Sequence, residues 1–212
     1  MSSEWRIGHL HYSPTTNHQS PITNHQPPTT NFKIMSDFNV AYQKTLVNEG
    51  GYVDDPDDPG DETYKGIARA MHGKWSGWAI IDKYKTRSNF PSILEKDTAL
   101  QDRIAQFYRI TFWDPVHGDE IANQSVADSI YDFAVNAGLR TSSALAQLVV
   151  GANVDGVIGP HSLEQINAFD PAAFLSAFTV GKIARYVSIV KKNPKSKKYF
   201  YGWVVRALNE AG

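Results

Sequence analysis

Glu49 is the residue whose type and position point most directly to chemistry. It follows Phe38, Tyr42 and Leu46 at helical spacing, so it shares their apolar face at the C-terminal end of a predicted helix. Burial and the negative end of a helix dipole both favour the protonated form of a carboxyl group there. A glutamic acid that stays protonated near neutral pH can give its proton to a leaving oxygen, as the general acid of a glycosidase does.

Glycoside hydrolysis usually needs a second carboxylate, and the segment after Glu49 is rich in acids. They are Asp54, Asp55, Asp57, Asp58, Asp61 and Glu62. The alternative is an ordinary helix-end glutamate beside a solvated acidic loop. An EF-hand is excluded because Pro59 stands at a ligand position and Gly66 stands where the bidentate glutamate belongs, although a looser cation site stays open. We predict no metal and no cofactor.

Helical periodicity covers most of the chain and predicts a mainly α fold. The predicted helices span residues 37–49, 97–111, 124–137, 142–150, 160–168, 171–192 and 197–209. Asp97 is a predicted N-cap. Strand signals are confined to residues 52–68, so at most a small β-hairpin is expected.

Composition excludes several classes of function. The 212 residues are 42% hydrophobic, enough for one substantial core or for one core plus a small second lobe. A net charge of −1 and the lack of any recognition motif argue against nucleic acid as a partner. The absence of cysteine excludes disulfides and thiolate metal sites. Neither a P-loop, nor a Rossmann fingerprint, nor a Gly-x-Ser-x-Gly or His-Glu-x-x-His motif is present.

Residues 1–34 read as a disordered leader. A seven-residue repeat, Pro14–Ser20 followed by Pro21–Pro27, carries proline and no apolar periodicity. Met35 is the expected start of the folded part, and the chain shows no secretory signal. No apolar run is long enough to predict membrane insertion.

Several short motifs are very similar to the glycoside hydrolase 108 family. They are Asn48-Glu49-Gly50-Gly51-Tyr52, Asp55-Pro56-x-Asp58-Pro59-Gly60, Thr63-x-x-Gly66-Ile67, Phe107-Tyr108-x-x-x-Phe112-Trp113, Asp132-Phe133-x-Val135-Asn136-x-Gly138, Asp155-Gly156-x-x-Gly159-Pro160 and Gly202-Trp203-x-x-Arg206. Members are N-acetylmuramidases of phages and bacteria, and some are secretion activators. The resemblance implies a lysozyme-like fold, with a catalytic region at residues 35–122 and a helical peptidoglycan-binding region at 123–212 packed on it.

The resemblance also implies roles for individual residues. The family's Glu-Gly-Gly-Tyr motif makes Glu49 the catalytic acid. Phage lysozymes have Glu, eight residues, Asp, five residues and Thr; here eight residues separate Glu49 from Asp58, and four separate Asp58 from Thr63. This spacing favours Asp58 as second carboxylate and Thr63 as a water-orienting hydroxyl. Asp61 and Tyr64 depart from the family pattern and add bulk beside the expected site.

Glycan clefts use aromatic faces and a few directed polar groups. Tyr52, Tyr64 and Trp78 are the predicted aromatic contacts, with a core position as the alternative for each. Asp132 and Asn136 lie one helical turn apart, so they either line the cleft together or bond neighbouring backbone.

The expected function is hydrolysis of the β-1,4 bond after N-acetylmuramic acid in the peptidoglycan glycan strand, by a monomer. The alternatives are a non-catalytic cell-wall binding or secretion-helper protein and a glycosidase acting on chitin-like polymers. The expected location is the cytoplasm of a bacterium or phage-infected cell for synthesis and the periplasmic cell wall for action, as for an endolysin. Five lysines between residues 191 and 198 offer contact with anionic wall polymers or form a solvated helix end.

Overall fold

The computed structural model describes residues 36–46, 50–54 and 62–209, which lie in one compact unit. Within these residues the helices are α1 (Phe38–Leu46), α2 (Gly77–Tyr84), α3 (Thr98–Tyr108), α4 (Gln124–Ala137), α5 (Leu139–Val150), α6 (Pro160–Ala168), α7 (Pro171–Lys192) and α8 (Lys197–Asn209). The strands are β1 (Tyr52–Asp54), β2 (Glu62–Tyr64) and β3 (Ile67–Ala68). The predicted mainly helical fold is confirmed. The leader predicted at residues 1–34 lies outside the described residues.

The three strands form one antiparallel sheet in the order β1-β2-β3, one strand more than the expected hairpin. Tyr52 pairs with Tyr64 across the first ladder, and Tyr64 pairs with Ile67 across the second. Lys65 and Gly66 connect β2 to β3 with left-handed φ angles of 44° and 73°. Two consecutive left-handed residues are the signature of a type I′ turn, which suits the twist of a tight hairpin.

Helix α2 lies in a stretch where the sequence analysis predicted no helix. The ring of Trp75 lies over Gly77, where a Cβ atom would come within 2.2 Å of the ring. Gly77 therefore permits a close contact between ring and backbone. Trp78 and Ile81 on the same helix are 3% and 0% exposed. Tertiary packing therefore stabilises a helix that was not predicted from the sequence.

The core centres on aromatic rings held between α1, α4 and the π-helical turn Arg109–Trp113. Trp113 is fully buried, with ring centroids 5.8 Å from Phe38 and 5.6 Å from Tyr131. A Cβ atom at Gly118 would come within 2.3 Å of the Trp113 ring, so this position also needs glycine. Burial of each such ring contributes on the order of 2–3 kcal/mol, which fixes α1 against α4.

Helix α7 is, among the described helices, long and apolar enough by length and composition to cross a membrane. In the structure it packs against α4, α5 and α8. Its Phe174 and Phe178 side chains are fully buried, whereas only 22% of the apolar window is buried inside the structure.

Asp97 caps α3, as predicted. The backbone amide of Leu100 donates to Asp97 Oδ1 over 2.8 Å, and the Tyr84 hydroxyl donates to Oδ2 over 2.7 Å. These hydrogen bonds, that of Tyr84 first, lower the pKa of the Asp97 carboxyl.

A lowered pKa in the folded state predicts how stability depends on pH. The contribution of Asp97 is fully present above the unfolded-state pKa of about 3.9 and is lost as pH falls through the lower folded-state pKa. Asp97→Asn keeps a capping oxygen but cannot titrate. Thermal unfolding followed by circular dichroism should therefore show a larger loss of Tm for the wild type than for Asp97→Asn between about pH 5 and pH 2. Parallel curves would contradict this account.

Candidate active site

The two residues predicted to act directly on the glycosidic bond lie in chain segments that join described elements. Glu49 belongs to residues 47–49, between α1 and β1, and Asp58 belongs to residues 55–61, between β1 and β2. Both lie outside the described residues, and their roles stay predictions. The structure does describe the helix and strands from which these segments depart.

Thr63 lies on the more open face of the sheet. It pairs with Val53 of β1 and Ala68 of β3, and Val53 is 49% exposed. Since neighbouring residues of a strand point to opposite faces, the face that carries Thr63 is opposite to the one that carries Tyr64. The hydroxyl of Thr63 is thus on the accessible side of a strand that follows directly on residues 55–61.

Tyr64 points into the core and is 1% exposed. Its hydroxyl donates to Glu95 Oε1 over 3.1 Å and accepts from Gln101 Nε2 over 3.2 Å. Burial is the main reason why the pKa of Tyr64 is raised. The ring has the core position that the sequence left open as the alternative to a substrate contact.

Tyr52, opposite Tyr64 in register, keeps part of its surface accessible. Its ring meets Phe90 edge to face at 4.7 Å, and its hydroxyl donates to Asp54 Oδ2 over 3.4 Å. Burial and a hydrogen bond with Glu62 raise the pKa of Tyr52. Of the two predicted tyrosine contacts, Tyr52 is the one with surface to offer a ligand.

Glu62 is a buried carboxylate engaged in ion pairs. Its oxygens lie 2.6 Å from Arg69 Nε and 2.9 Å from Lys85 Nζ, and Arg69 also meets Asp82 at 2.6 Å. Burial disfavours the charged guanidinium, but the hydrogen bond to Asp82 and the charge of Glu62 together raise the pKa of Arg69. The cluster joins β2 to α2, so Glu62 serves the fold and is a poor candidate for the second carboxylate.

Trp78, a predicted substrate contact, is 3% exposed. The guanidinium of Arg69 lies 4.4 Å from its ring centroid, and its indole nitrogen donates to the His72 carbonyl over 2.9 Å. The neighbouring Trp75 is only half buried and meets Trp78 edge to face. Trp78 therefore belongs to the core, and Trp75 is the ring of the pair that keeps some accessible surface.

Asp132 and Asn136 come together as predicted, but their polar groups are bonded to protein. Asn136 Nδ2 donates to the Asp132 carbonyl over 2.7 Å and to its Oδ2 over 2.9 Å. Arg206 of α8 donates to Asp132 Oδ1 over 2.7 Å, and the Thr45 hydroxyl of α1 lies 3.5 Å from the same oxygen. Asp132 thus joins α4 to α1 and α8. The sequence spacing of Asp132 and Asn136 did not predict the hydrogen bond with Arg206.

A buried glutamine organises the turn before α6. The side chain of Gln147 donates to Asp155 Oδ1 and to the Val157 carbonyl, and it accepts from the amide of Gly156 over 2.8 Å. Gly156 has a φ of 79°, and a Cβ atom there would come within 2.7 Å of Arg140. These contacts explain the glycine of the Asp155-Gly156 motif as a structural requirement.

Comparison with known proteins assigns both halves of this arrangement. The family profile described as Glycosyl hydrolase 108 matches residues 42–138, a range that includes Glu49, Asp58 and Thr63. Residues 42–138 are a glycosyl hydrolase 108 domain. A second profile, described as Predicted Peptidoglycan domain, matches residues 140–208. Helix α4 falls within the first match, although the sequence had placed it in the second region.

The structure of Brucella abortus SagA is similar to this chain along most of its length. The superposition has a TM-score of 0.61 and 26% sequence identity, and it covers 82% of this chain and 91% of that chain. No curated protein matches the sequence. The glycosyl hydrolase 108 domain and the peptidoglycan domain thus occur in an arrangement shared with a solved protein.

The buried position of Glu62 predicts a clear effect on stability. Glu62→Gln leaves Arg69 and Lys85 without their buried counter-ion and should lower the free energy of unfolding by about 1–3 kcal/mol. Asp82→Asn changes the exposed carboxylate of the same cluster, 48% accessible, and should cost less than about 1 kcal/mol. Urea unfolding measures both, and equal losses would contradict the assigned role of Glu62.

The contact between Asp132 and Arg206 predicts coupling between the two domains. Arg206→Met removes the charge but keeps much of the stem, and Asp132→Asn removes the carboxylate. Each should destabilise the fold, and the double variant should lose less than the sum, with a coupling of about 0.5–3 kcal/mol. Urea unfolding of the four proteins completes the cycle. Additive losses would show that the two side chains do not interact in solution.

Proposed function

We propose that this glycosyl hydrolase 108 domain cleaves the β-1,4 bond after N-acetylmuramic acid in the peptidoglycan glycan strand. Membership of residues 42–138 in a glycosidase family is the observation that carries the proposal. The adjoining Predicted Peptidoglycan domain supports peptidoglycan as the substrate. Glu49 is the proposed general acid, since it stands at the matching position of the family motif.

The surroundings of residues 47–49 suit a catalytic group that must be held in place. Helix α1, which precedes them, is fixed at its start by the Ser36 hydroxyl, which donates to the Ile121 carbonyl over 2.7 Å. Lys44 pairs with Asp128 of α4 near its end. Groups supported by a packed helix keep their geometry better than groups on free loops. The segment with Glu49 therefore follows a helix that contacts its neighbours near both ends.

The proposed reaction adds water across the glycosidic bond. Glu49 transfers its proton to the leaving oxygen as the bond breaks, and the positive charge that develops on the sugar ring needs a negative partner. Asp58 is the proposed carboxylate for that role, accepting the proton of the incoming water or stabilising the charged sugar. Thr63, on the open face of β2, is the proposed hydroxyl that orients the water.

A non-catalytic wall-binding protein is the competing function, and one of its two supports is weakened. It rested on the bulk of Asp61 and Tyr64 beside the expected site. Asp61 lies outside the described residues, but Tyr64 directs its ring into the core, on the face opposite to Thr63. The tyrosine therefore does not crowd the sheet face that we assign to the reaction.

We also propose the bacterial cell wall as the place of action, which requires transfer from the cytoplasm where the chain is made. The Predicted Peptidoglycan domain supports this location, because its ligand lies in the wall. A lysin of a phage or prophage, released through a separate pore, is the form of the protein that we propose.

The decisive experiment compares wild type with Glu49→Gln on purified sacculi, measuring reducing ends and identifying them by mass spectrometry. Loss of a general acid should slow the reaction by about 100-fold to 10,000-fold. Glu164→Gln makes the same change at an exposed position of α6 and should retain wild-type activity. Retained lysis by Glu49→Gln would end the assignment of the acid. Release of N-acetylglucosamine reducing ends by the wild type would replace the muramidase with another glycosidase.

A further inference from the structure

Helices α7 and α8 form a hairpin whose contact surface is largely aromatic. Within the described part of α8, Ala207 alone is fully buried. The ring of Trp203 on α8 lies 5.4 Å from that of Tyr186 on α7, at 36°, and 5.9 Å from that of Tyr199, at 28°. We call these three overlapping rings, Tyr186, Trp203 and Tyr199, the aromatic stack.

The aromatic stack keeps solvent-exposed surface that a core contact would lack. Tyr199 at its outer end is 53% exposed, and Trp203 and Tyr186 are half buried. Phe174 and Phe178, stacked at 5.3 Å elsewhere on α7, are both fully buried. The same helix therefore carries one ring pair that serves the core and a second set whose outer rings face water.

Five lysines lie where α7 ends and α8 begins, the part of the hairpin that carries Tyr199. All are exposed and lie at the tip of the hairpin: Lys191, Lys192, Lys195, Lys197 and Lys198. The ammonium group of Lys198 lies 4.8 Å from the centroid of the Tyr199 ring. Residues 171–209 contain no Asp or Glu, although the whole chain has a net charge of −1. Positive charge is thus concentrated beside exposed aromatic faces. We call the five lysines the lysine tip.

We infer that the aromatic stack and the lysine tip together form the surface on which the peptidoglycan domain holds its polymer. Aromatic rings offer flat apolar faces that suit the C–H face of a sugar ring. Ammonium groups attract carboxylates, which the stem peptides of peptidoglycan carry beside each muramic acid. A glycan strand with its stem peptides supplies both partners at once. The choice of ligand rests on the proposed function.

The sequence offers a matched control on the same helix. Tyr201 is 80% exposed, and it is two residues from Tyr199, which places it about 200° around α8 and away from the stack. A general effect of removing an exposed tyrosine from α8 would appear equally at both positions. An effect of the stack would appear only at Tyr199.

The test measures retention of the full chain on purified sacculi, with Glu49→Gln in every protein so that the polymer stays intact. Tyr199→Ala should weaken retention about tenfold, whereas Tyr201→Ala should leave it unchanged. Replacing Lys197 and Lys198 together by Gln should weaken retention at low salt and reduce its dependence on salt. Equal retention by the Tyr199→Ala and Tyr201→Ala proteins would overturn the surface.

Two further measurements keep the result unambiguous. Circular dichroism and Tm show whether Tyr199→Ala still folds, and Trp203→Phe, which preserves a ring, should bind better than Trp203→Ala at equal helicity. Reducing-end release by the chain with Glu49 intact is recorded in parallel. Tyr199-dependent retention without release would leave this surface standing and reject the hydrolase. Release of reducing ends together with retention that does not depend on Tyr199 would support the hydrolase and reject this surface.

Discussion

The buried carboxylate of Asp132 is the interaction on which the arrangement of the two domains depends. It lies on α4, within the glycosyl hydrolase 108 match, and it takes a hydrogen bond from Arg206 on α8 of the peptidoglycan domain. The hydroxyl of Thr45, four residues before Glu49, lies 3.5 Å from the same oxygen. A buried charge needs such partners, because without them its desolvation opposes folding. The helix before the proposed acid and the last described helix thus both contact one carboxylate.

The alternation of side chains along β2 is the second constraint. It directs three consecutive side chains to two opposite faces of the sheet. Glu62 and Tyr64 point inward, one into ion pairs with Arg69 and Lys85 and the other into the core. Thr63, between them, remains on the accessible face. A strand shifted by one residue would bury Thr63 and expose both polar core contacts. The ion pairs of Glu62 therefore favour the register that keeps Thr63 on the accessible face.

Periodicity predicted much of the fold, because the helices of the C-terminal half carry regular apolar faces. Helices α7 and α8 have the predicted bounds. Helix α2 was missed because it is only eight residues long and begins at a glycine, although its buried Trp78 and Ile81 lie at helical spacing. The sequence motifs identified Glu49 and Asp58 as candidate site residues. The sequence did not show that Tyr64 and Trp78 are buried whereas Tyr52 keeps accessible surface, because burial depends on the three-dimensional packing. The partners of Asp132 were invisible for the same reason.

The bond between Arg206 and Asp132 also affects how the chain is made. These residues are separated by 74 positions, and contacts of such separation form late, after the intervening chain has been organised. During synthesis α1 and α4 leave the ribosome long before α8 does. Until Arg206 emerges, the partners of Asp132 that the described residues provide are Asn136 and Thr45. A chain that lacks α8 therefore keeps α1 and α4 but loses the hydrogen bond that Arg206 donates to Asp132.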